Sequence, residues 1–325
     1  MNLSFPVPRA AVLAAVILGC AGVHAQTYPV KPIRVIVPFG TGGPADIYAR
    51  YLGQHLQGPL GQPFVVEARP GAGSIIGTDI VAKSPADGYT LLVMSNTHTV
   101  NESLVPKKPF ALMKDFVGIA PINYSDLLLV VHPSLPAKSV KELVALAKKN
   151  KGGLNYSSSG TGTPYHMAGE LFKALAGVDI LHVPHKSSGD ARTSVMSGQT
   201  ELMLDAITTM GPIARAGRVR ALGTSGKERS KIMPDVPTIA EAGVKDYETT
   251  IWLGVMAPAG TPKTILERLN TEITKVTSRP DVQAAWAKQG ATPMKMTVAE
   301  FEKHLNADIA KWARVVKIAG ARADK

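Results

Sequence analysis

Short runs of β-branched residues alternate with longer segments of helical periodicity from Ile33 onward. This alternation is typical of parallel sheets whose helices pack on both faces. The pattern predicts strands over residues 33–37, 64–67, 90–94, 127–131, 154–157, 180–183, 201–204, 221–224 and 252–256. It predicts helices over residues 46–56, 75–83, 139–149, 164–175, 262–277 and 298–318. The fold class expected is therefore α/β.

The length of 325 residues corresponds to two domains, because a typical domain has about 150 residues. No Gly/Ser-rich linker divides the chain, so the connections between the domains are expected to be ordered crossings near residues 123–126 and 225–237. This predicts a discontinuous first lobe, residues 26–124 with 226–325, and a second lobe, residues 125–225.

The N-terminal segment has the pattern of a secretory signal peptide. Arg9 precedes an uncharged apolar stretch, residues 10–23, which is shorter than the ~20 residues that cross a bilayer. Small residues follow, and cleavage is expected after Ala25, which predicts a periplasmic protein with residues 1–25 removed. The alternative is lipidation at Cys20, which the bulky Leu18 disfavours.

Cys20 is the only cysteine, so the mature chain is expected to have no disulfide, no zinc–thiolate site and no cysteine nucleophile. The formal net charge is +11, and removal of Arg9 leaves it at +10. Basic residues are scattered and are not interleaved with aromatic residues, which argues against a nucleic-acid surface. Small anionic solutes fit this charge better.

A Gly-Thr-Gly-x-Pro motif occurs twice, at residues 40–44 and 160–164, each time between a predicted strand and a predicted helix. Glycines let backbone amides approach a ligand, and a helix N-terminus attracts anions. A helix terminus contributes ~0.3–2 kcal/mol and a charged hydrogen bond ~1.5–3 kcal/mol, whereas micromolar affinity needs about 8 kcal/mol. One loop is insufficient, so both loops are expected to line one cleft that closes on an anion.

Two other chemistries are also compatible with parts of these loops. Gly40-x-Gly42-x-x-Ala45, with Glu67 at the end of the next strand, satisfies the spacing of a dinucleotide fingerprint, which would indicate an NAD-dependent oxidoreductase. Export away from the cytoplasmic nicotinamide pool and Pro44 inside the fingerprint argue against it. The sequence from Ser157 to Gly160 lacks the Gly-x-Ser-x-Gly nucleophile elbow, and there is no P-loop, so no catalytic residue and no cofactor are expected.

His182 and His185 are three residues apart near a predicted strand, which directs their rings to opposite faces, and no adjacent acid completes a metal site. No metal is therefore expected. A third glycine-rich turn, residues 71–74, follows Arg69-Pro70 and precedes a helix. It is interpreted as a chain turn, with approach to the cleft as the alternative.

Several segments together resemble one family, the periplasmic receptors of tripartite tricarboxylate transporters, also called Bug receptors. The matching segments, in family order, lie within residues 37–50, 66–73, 87–92, 155–166, 182–186 and 252–262. The resemblance implies a type II periplasmic-binding-protein fold, in which two α/β lobes close on a small carboxylate. It also implies delivery of that solute to membrane permease subunits by a non-catalytic receptor, which we expect to be a monomer.

The ligand-binding residues implied are Phe39, Gly40, Thr41, Gly42, Gly43, Ala45, Asp46, Ser157, Ser158, Gly160, Thr161, Thr163, His166 and Asp205. Asp205 resembles the cleft aspartate of the family, which could hold an amine, a hydroxyl or a water. The chain departs from the family pattern at Ala45, His185, Ser187, Ser188 and Arg192. The solute class therefore stays open between a di- or tricarboxylate, an aromatic acid and an acidic amino acid, as does the question of whether Arg192, His185 or Ser188 line the pocket.

Overall fold

The structure is a computed structural model that describes residues 28–321. The strands are β1 (Ile33–Val37), β2 (Phe64–Ala68), β3 (Thr90–Ser95), β4 (Phe116–Val131), β5 (Asn155–Ser158), β6 (Leu181–Pro184), β7 (Leu202–Ala206), β8 (Arg220–Thr224), β9 (Thr250–Pro258) and β10 (Ala291–Pro293). The helices are α1 (Pro44–Leu60), α2 (Ile75–Ala82), α3 (Asn96–Leu104), α4 (Leu112–Asp115), α5 (Val140–Lys149), α6 (Pro164–Ala176), α7 (Ser188–Met196), α8 (Ile207–Arg215), α9 (Lys263–Thr277), α10 (Pro280–Ala287) and α11 (Val298–Ala319). The predicted α/β class is confirmed.

The strands run in the order β2-β1-β3-β9-β4-β7-β5-β6, with β8 and β10 also paired to β4. Parallel pairing joins β1 to β2 and β3, and β5 to β6 and β7. In contrast, β9 is antiparallel to β3 and β4, and β4 is antiparallel to β7. The expectation of parallel sheets therefore holds at the two edges and is wrong at the centre, where the strands are antiparallel.

Strand β4 is shared by both halves of the molecule. It pairs with β9 as far as Asp126 and with β7 from Leu127 onward. Ser225 fixes this point, because its hydroxyl accepts a hydrogen bond from the Leu127 amide (2.7 Å) and donates one to the Thr249 carbonyl (2.6 Å). Only the second part of β4 was predicted as a strand, because residues 116–126 include Gly118 and Pro121, which are poor strand formers.

Each half has its own apolar core. One core contains Val35, Leu52 and Leu253 among residues of β1, α1, β3, β9 and α9, and the other contains Leu129 and Leu204 among residues of β4, β5, β7 and α6. Two cores joined by a few crossing strands are the pattern of two lobes that can move relative to each other.

The expected lobe boundary at residues 225 and 226 stays a prediction. Ile239, Val244 and Tyr247 lie beyond that boundary and pack on the core of β4, β5 and β7. Helix α11 contacts both halves, since Phe301 packs beside β9 and Trp312 packs with Met167 of α6. The C-terminal helix α11 therefore packs against both lobes.

The predicted signal peptide, residues 1–25, and the alternative lipidation site, Cys20, lie outside the described residues. Between residues 28 and 321, the structure contains no helix with the length and apolar character needed to cross a membrane.

Candidate functional site

A cavity of about 400 Å³ lies where the two lobes meet. Loops from both lobes line it. The part of the chain before β4 contributes Pro38, Phe39, Gly40, Gly43, Pro44, Ala45, Pro70, Gly71, Ala72, Gly73, Ser74 and Ser95, the part between β4 and β7 contributes Ser159, Gly160, Thr163, Pro164, Tyr165, His185, Lys186, Ser187 and Ser188, and β9 contributes Ile251 and Leu253.

Five helices begin at this cavity. Their N-cap residues, Gly43, Ser74, Ser95, Thr163 and Ser187, all line it. The N-terminus of a helix carries about half a positive charge, and its first amides have no partner within the helix. Five such ends around one space make a site suited to a negatively charged ligand.

The side chains at the cavity strengthen this preference. Lys186 and His185 line it, and no aspartate or glutamate does among the residues that the structure describes. The Nε2 atom of His185 is buried and has no described hydrogen-bond partner. Phe39, Ile251 and Leu253 supply an apolar wall. The site therefore fits a small molecule that joins an anionic group to a short apolar body.

Six of the fourteen predicted binding residues line the cavity, namely Phe39, Gly40, Gly43, Ala45, Gly160 and Thr163. The other eight, Thr41, Gly42, Asp46, Ser157, Ser158, Thr161, His166 and Asp205, lie in the same loops or behind them without lining it. Some of these support the loops. Asp46 accepts a hydrogen bond from the Gly42 amide (3.1 Å) and pairs with Arg50 (2.9 Å), so its carboxylate is already engaged.

The loop of residues 157–166, here the second loop, is held by its own side chains. The Thr163 hydroxyl donates to the Gly160 carbonyl (2.7 Å) and caps α6 by accepting from the His166 amide. The Ser158 hydroxyl accepts from the Gly160 amide (3.1 Å), and His166 Nδ1 accepts from the Gly162 amide (3.1 Å). These bonds fix the loop before any ligand arrives.

The loop of residues 39–46, here the first loop, has fewer internal bonds. Its N-cap is Gly43, which has no side chain to cap α1. Within the described chain, no hydrogen-bond acceptor is found for the backbone amides of Gly40, Gly43 and Ala45. These amides are free to bind a ligand. The loop also touches the second lobe, since a Cβ on Gly40 would lie 2.6 Å from the Ser187 Cβ.

Asp205 is fully buried behind the cavity and holds Arg192. The Arg192 Nε lies 2.9 Å from Asp205 Oδ2, and the Ala206 amide and the Tyr165 hydroxyl also bond to this carboxylate. Burial raises the pKa of Asp205, and the Arg192 charge opposes that rise. Arg192 also donates from Nη2 to the Gly42 carbonyl (3.1 Å). The predicted ligand contact of Asp205 stays without support, because neither side chain of the pair lines the cavity.

The turn at residues 71–74, here the third loop, lines the cavity instead of merely reversing the chain. Four successive residues have positive φ, and two of them, Ala72 (φ 46°) and Ser74 (φ 79°), are not glycine. This conformation costs about 1–2 kcal/mol per residue outside glycine. The Ser74 hydroxyl is buried and unpaired within the described chain. Backbone strain of this kind is frequent at binding sites. The sequence does not indicate it, because Ala72 and Ser74 are residue types that rarely adopt positive φ.

Two alternatives from the sequence find no support in the geometry. Among residues 28–321, no group of three His, Cys, Asp or Glu residues could hold a metal ion. His182 bonds to the Ser158 hydroxyl (2.6 Å), while His185 faces the cavity. Glu67 is not available to a ribose, because Arg34 (2.7 Å) and Arg69 (2.9 Å) bind its carboxylate and lower its pKa to about 2.

A cavity lined by helix N-termini between two α/β lobes defines a solute-binding protein of the type II periplasmic class. Solved structures share this fold. R. palustris MatC with bound malate is 31% identical with a TM-score of 0.85, covering 89% of this chain and 100% of that one. An R. palustris protein with adipate is 34% identical with a TM-score of 0.88, and periplasmic binding protein BugD is 29% identical with a TM-score of 0.87; each match covers 91% of this chain and all of the other.

The sequence comparisons define the family. A family model, the tripartite tricarboxylate transporter family receptor, matches residues 48–321. Protein BugT of Bordetella pertussis is 38% identical over 304 residues, 93% of each chain. The chain therefore belongs to the tripartite tricarboxylate transporter receptor family. It is a solute-binding receptor and not an enzyme, so the oxidoreductase alternative is excluded.

Proposed function

We propose that this receptor captures a small organic carboxylate in the periplasm by closing its two lobes, and delivers it to the permease of a tripartite transporter. The observation that supports this most is the convergence of five N-caps on one cavity, with no acidic side chain among its described lining residues. Adipate and malate in the structures of two relatives are small carboxylates of this kind.

Within the carboxylates, the geometry favours a diacid that has no amino group. The free amides of the first loop suit one carboxylate, and His185 and Lys186 suit a second. An ammonium group would need an acidic partner, and no described Asp or Glu lines the cavity, while Asp205 behind it is paired with Arg192. An acidic amino acid or an aromatic monoacid therefore fits less well than a dicarboxylate or tricarboxylate.

Export is part of the proposal, with residues 1–25 as the signal peptide and lipidation at Cys20 as the less favoured route. The receptor is proposed to act as a monomer, because one chain supplies both sides of the cavity. The permease partner is proposed from the family alone.

A thermal-shift panel tests the function. Protein recovered from the periplasm, with an N-terminus expected at Gln26, is heated with succinate, malate, adipate, citrate, benzoate, aspartate, glutamate and NAD. A ligand present at 100 times its Kd adds about 2.7 kcal/mol to the free energy of unfolding. The diacids are expected to stabilise most and benzoate and the amino acids less. Stabilisation by NAD alone, or by no carboxylate, would contradict the proposal.

A further inference from the structure

Arg192 connects the two lobes beside the cavity. Helix α7 belongs to the second core through Ala191 and Val195, whereas the first loop leads into α1, which belongs to the other core. The bond from Arg192 Nη2 to the Gly42 carbonyl (3.1 Å) therefore spans the cleft. Because the two groups sit on different lobes, opening of the cleft separates them.

Asp205 holds the Arg192 side chain in place. The Arg192 side chain is 13% exposed and the Asp205 side chain is 0% exposed, and Nε lies 2.9 Å from Oδ2 as an ion pair, without the alignment of a hydrogen bond. Two buried charges of opposite sign are stable only as a pair, so each fixes the other. The planar guanidinium then directs Nη2 outward in a defined direction, which a flexible lysine would not do.

Arg192 acts on the ligand site through one peptide group. The Gly42 carbonyl and the Gly43 N–H belong to the same trans peptide, so they point in opposite directions. Holding the carbonyl fixes the direction of the Gly43 amide, which is the N-cap of α1 at the cavity. The positive charge also polarises the peptide, and this makes the amide a stronger donor. The other side of Gly42 is held as well, since its own amide donates to Asp46 (3.1 Å).

We propose that Arg192 is a positioning residue that sets the Gly43 amide for the ligand only when the lobes are closed. The inference rests on the proposed capture of a carboxylate and adds a residue that does not itself line the cavity. It explains how the first loop, which has few internal bonds, presents ordered donors to a ligand. It also makes ligand release depend on breaking a charged hydrogen bond between lobes.

The test compares Arg192→Gln, Arg192→Lys and a double variant, Arg192→Met with Asp205→Asn, with an exposed control in the same lobe, Arg218→Gln. Stopped-flow tryptophan fluorescence measures the association and dissociation rates of adipate and succinate. Small-angle scattering measures the radius of gyration of the ligand-free protein. The double variant removes both buried charges, so it keeps the test valid if Arg192→Gln alone is unstable.

The dissociation rate is expected to rise about tenfold to a hundredfold in Arg192→Gln and in the double variant, while the association rate changes little. Arg192→Lys is expected to recover part of the loss, and Arg218→Gln is expected to match the wild type. The ligand-free variants are expected to have a larger radius of gyration. Wild-type dissociation rates or an unchanged radius in the double variant would overturn the inference. Wild-type protein that binds no carboxylate of the thermal-shift panel would instead refute the proposed function, and the scattering comparison would still decide the role of Arg192.

Discussion

The two Gly-Thr-Gly-x-Pro loops share a sequence motif but are held in different ways. The second loop has Thr163 at the variable position, and its hydroxyl closes the loop on Gly160. The first loop has Gly43 at the same position, so its helix has no side-chain cap. The first loop gains its support from Asp46 within the loop and from Arg192 in the other lobe. One loop is therefore organised by its own side chains, and we propose that the other is completed by closure of the lobes.

This difference suggests an order of events in capture. A preorganised loop loses little entropy when it binds, so the second loop is suited to making the first contact with a ligand. In the proposed mechanism, the first loop then adds its free amides as the lobes close, and water leaves the cavity. Each hydrogen bond is stronger in that drier space. In this proposal, the same motif forms a preorganised loop on one side of the site and a loop that depends on closure on the other.

The largest expected effect comes from Gly162→Val compared with Gly42→Val. Both glycines have φ near +75°, namely +79° and +73°, so both variants pay about 1–2 kcal/mol of backbone strain. A Cβ on Gly162 would lie 2.7 Å from Oδ1 of Asn101 on α3, whereas a Cβ on Gly42 would have no atom within 4 Å. Calorimetry with adipate is expected to show a loss of at least about a hundredfold for Gly162→Val and about tenfold for Gly42→Val.

Gly217→Val is the matched control, because Gly217 has φ +71° and open space around it, away from the cavity. Its free energy of unfolding is expected to fall by the same backbone strain as in Gly42→Val, and its affinity for adipate is expected to equal that of the wild type. Equal affinity losses for the two loop variants would contradict the distinction between the loops.

The sequence predicted the two loops because their chemistry is local. Glycines that permit positive φ and prolines that begin helices occur at fixed spacing in the sequence. From this spacing, six of the predicted residues are correctly expected to line the cavity. The pair of Arg192 and Asp205 could not be predicted in this way, because it depends on how α7 packs beside β7. The third loop was interpreted as a turn for a related reason: Ala72 and Ser74 adopt a conformation that their residue types disfavour. Strand β4 was predicted only in part because its first section has no alternating pattern.

Asp126 offers a test at the crossing between the lobes, outside both loops. Burial, with a contribution from the Glu248 charge, raises its pKa from 3.8 to about 6. The folded protein holds a proton that the unfolded chain releases between pH 4 and 6, so the contribution of Asp126 to stability falls as the pH rises through that window. Asp126→Asn stays neutral, and it is expected to be more stable than the wild type above pH 6 by up to about 3 kcal/mol.

Urea unfolding at pH 4, 5, 6 and 7 measures this dependence, with the exposed Asp235→Asn as the control. The difference between Asp126→Asn and the wild type is expected to grow with pH, and the control is expected to follow the wild type. If the difference between the unfolding midpoints of Asp126→Asn and the wild type is the same at every pH, ionisation of Asp126 does not affect the stability of the fold. A confirmed dependence would assign the pH dependence of stability to the crossing strands and to neither loop.

The smallest effect is expected from Thr163→Val, which tests whether the second loop is organised without help from the other lobe. Valine keeps the shape of threonine and removes the hydroxyl that bonds to Gly160 and caps α6. Loss of an N-cap costs about 1 kcal/mol, so the free energy of unfolding of the ligand-free protein, measured with urea, is expected to fall by that amount. Thr163→Ser retains the hydroxyl and is expected to restore most of it. Thr41→Val, at an exposed threonine on the first loop, is expected to leave the ligand-free stability unchanged. A ligand-free stability equal to the wild type in Thr163→Val would mean that the second loop, like the first, depends on closure for its shape.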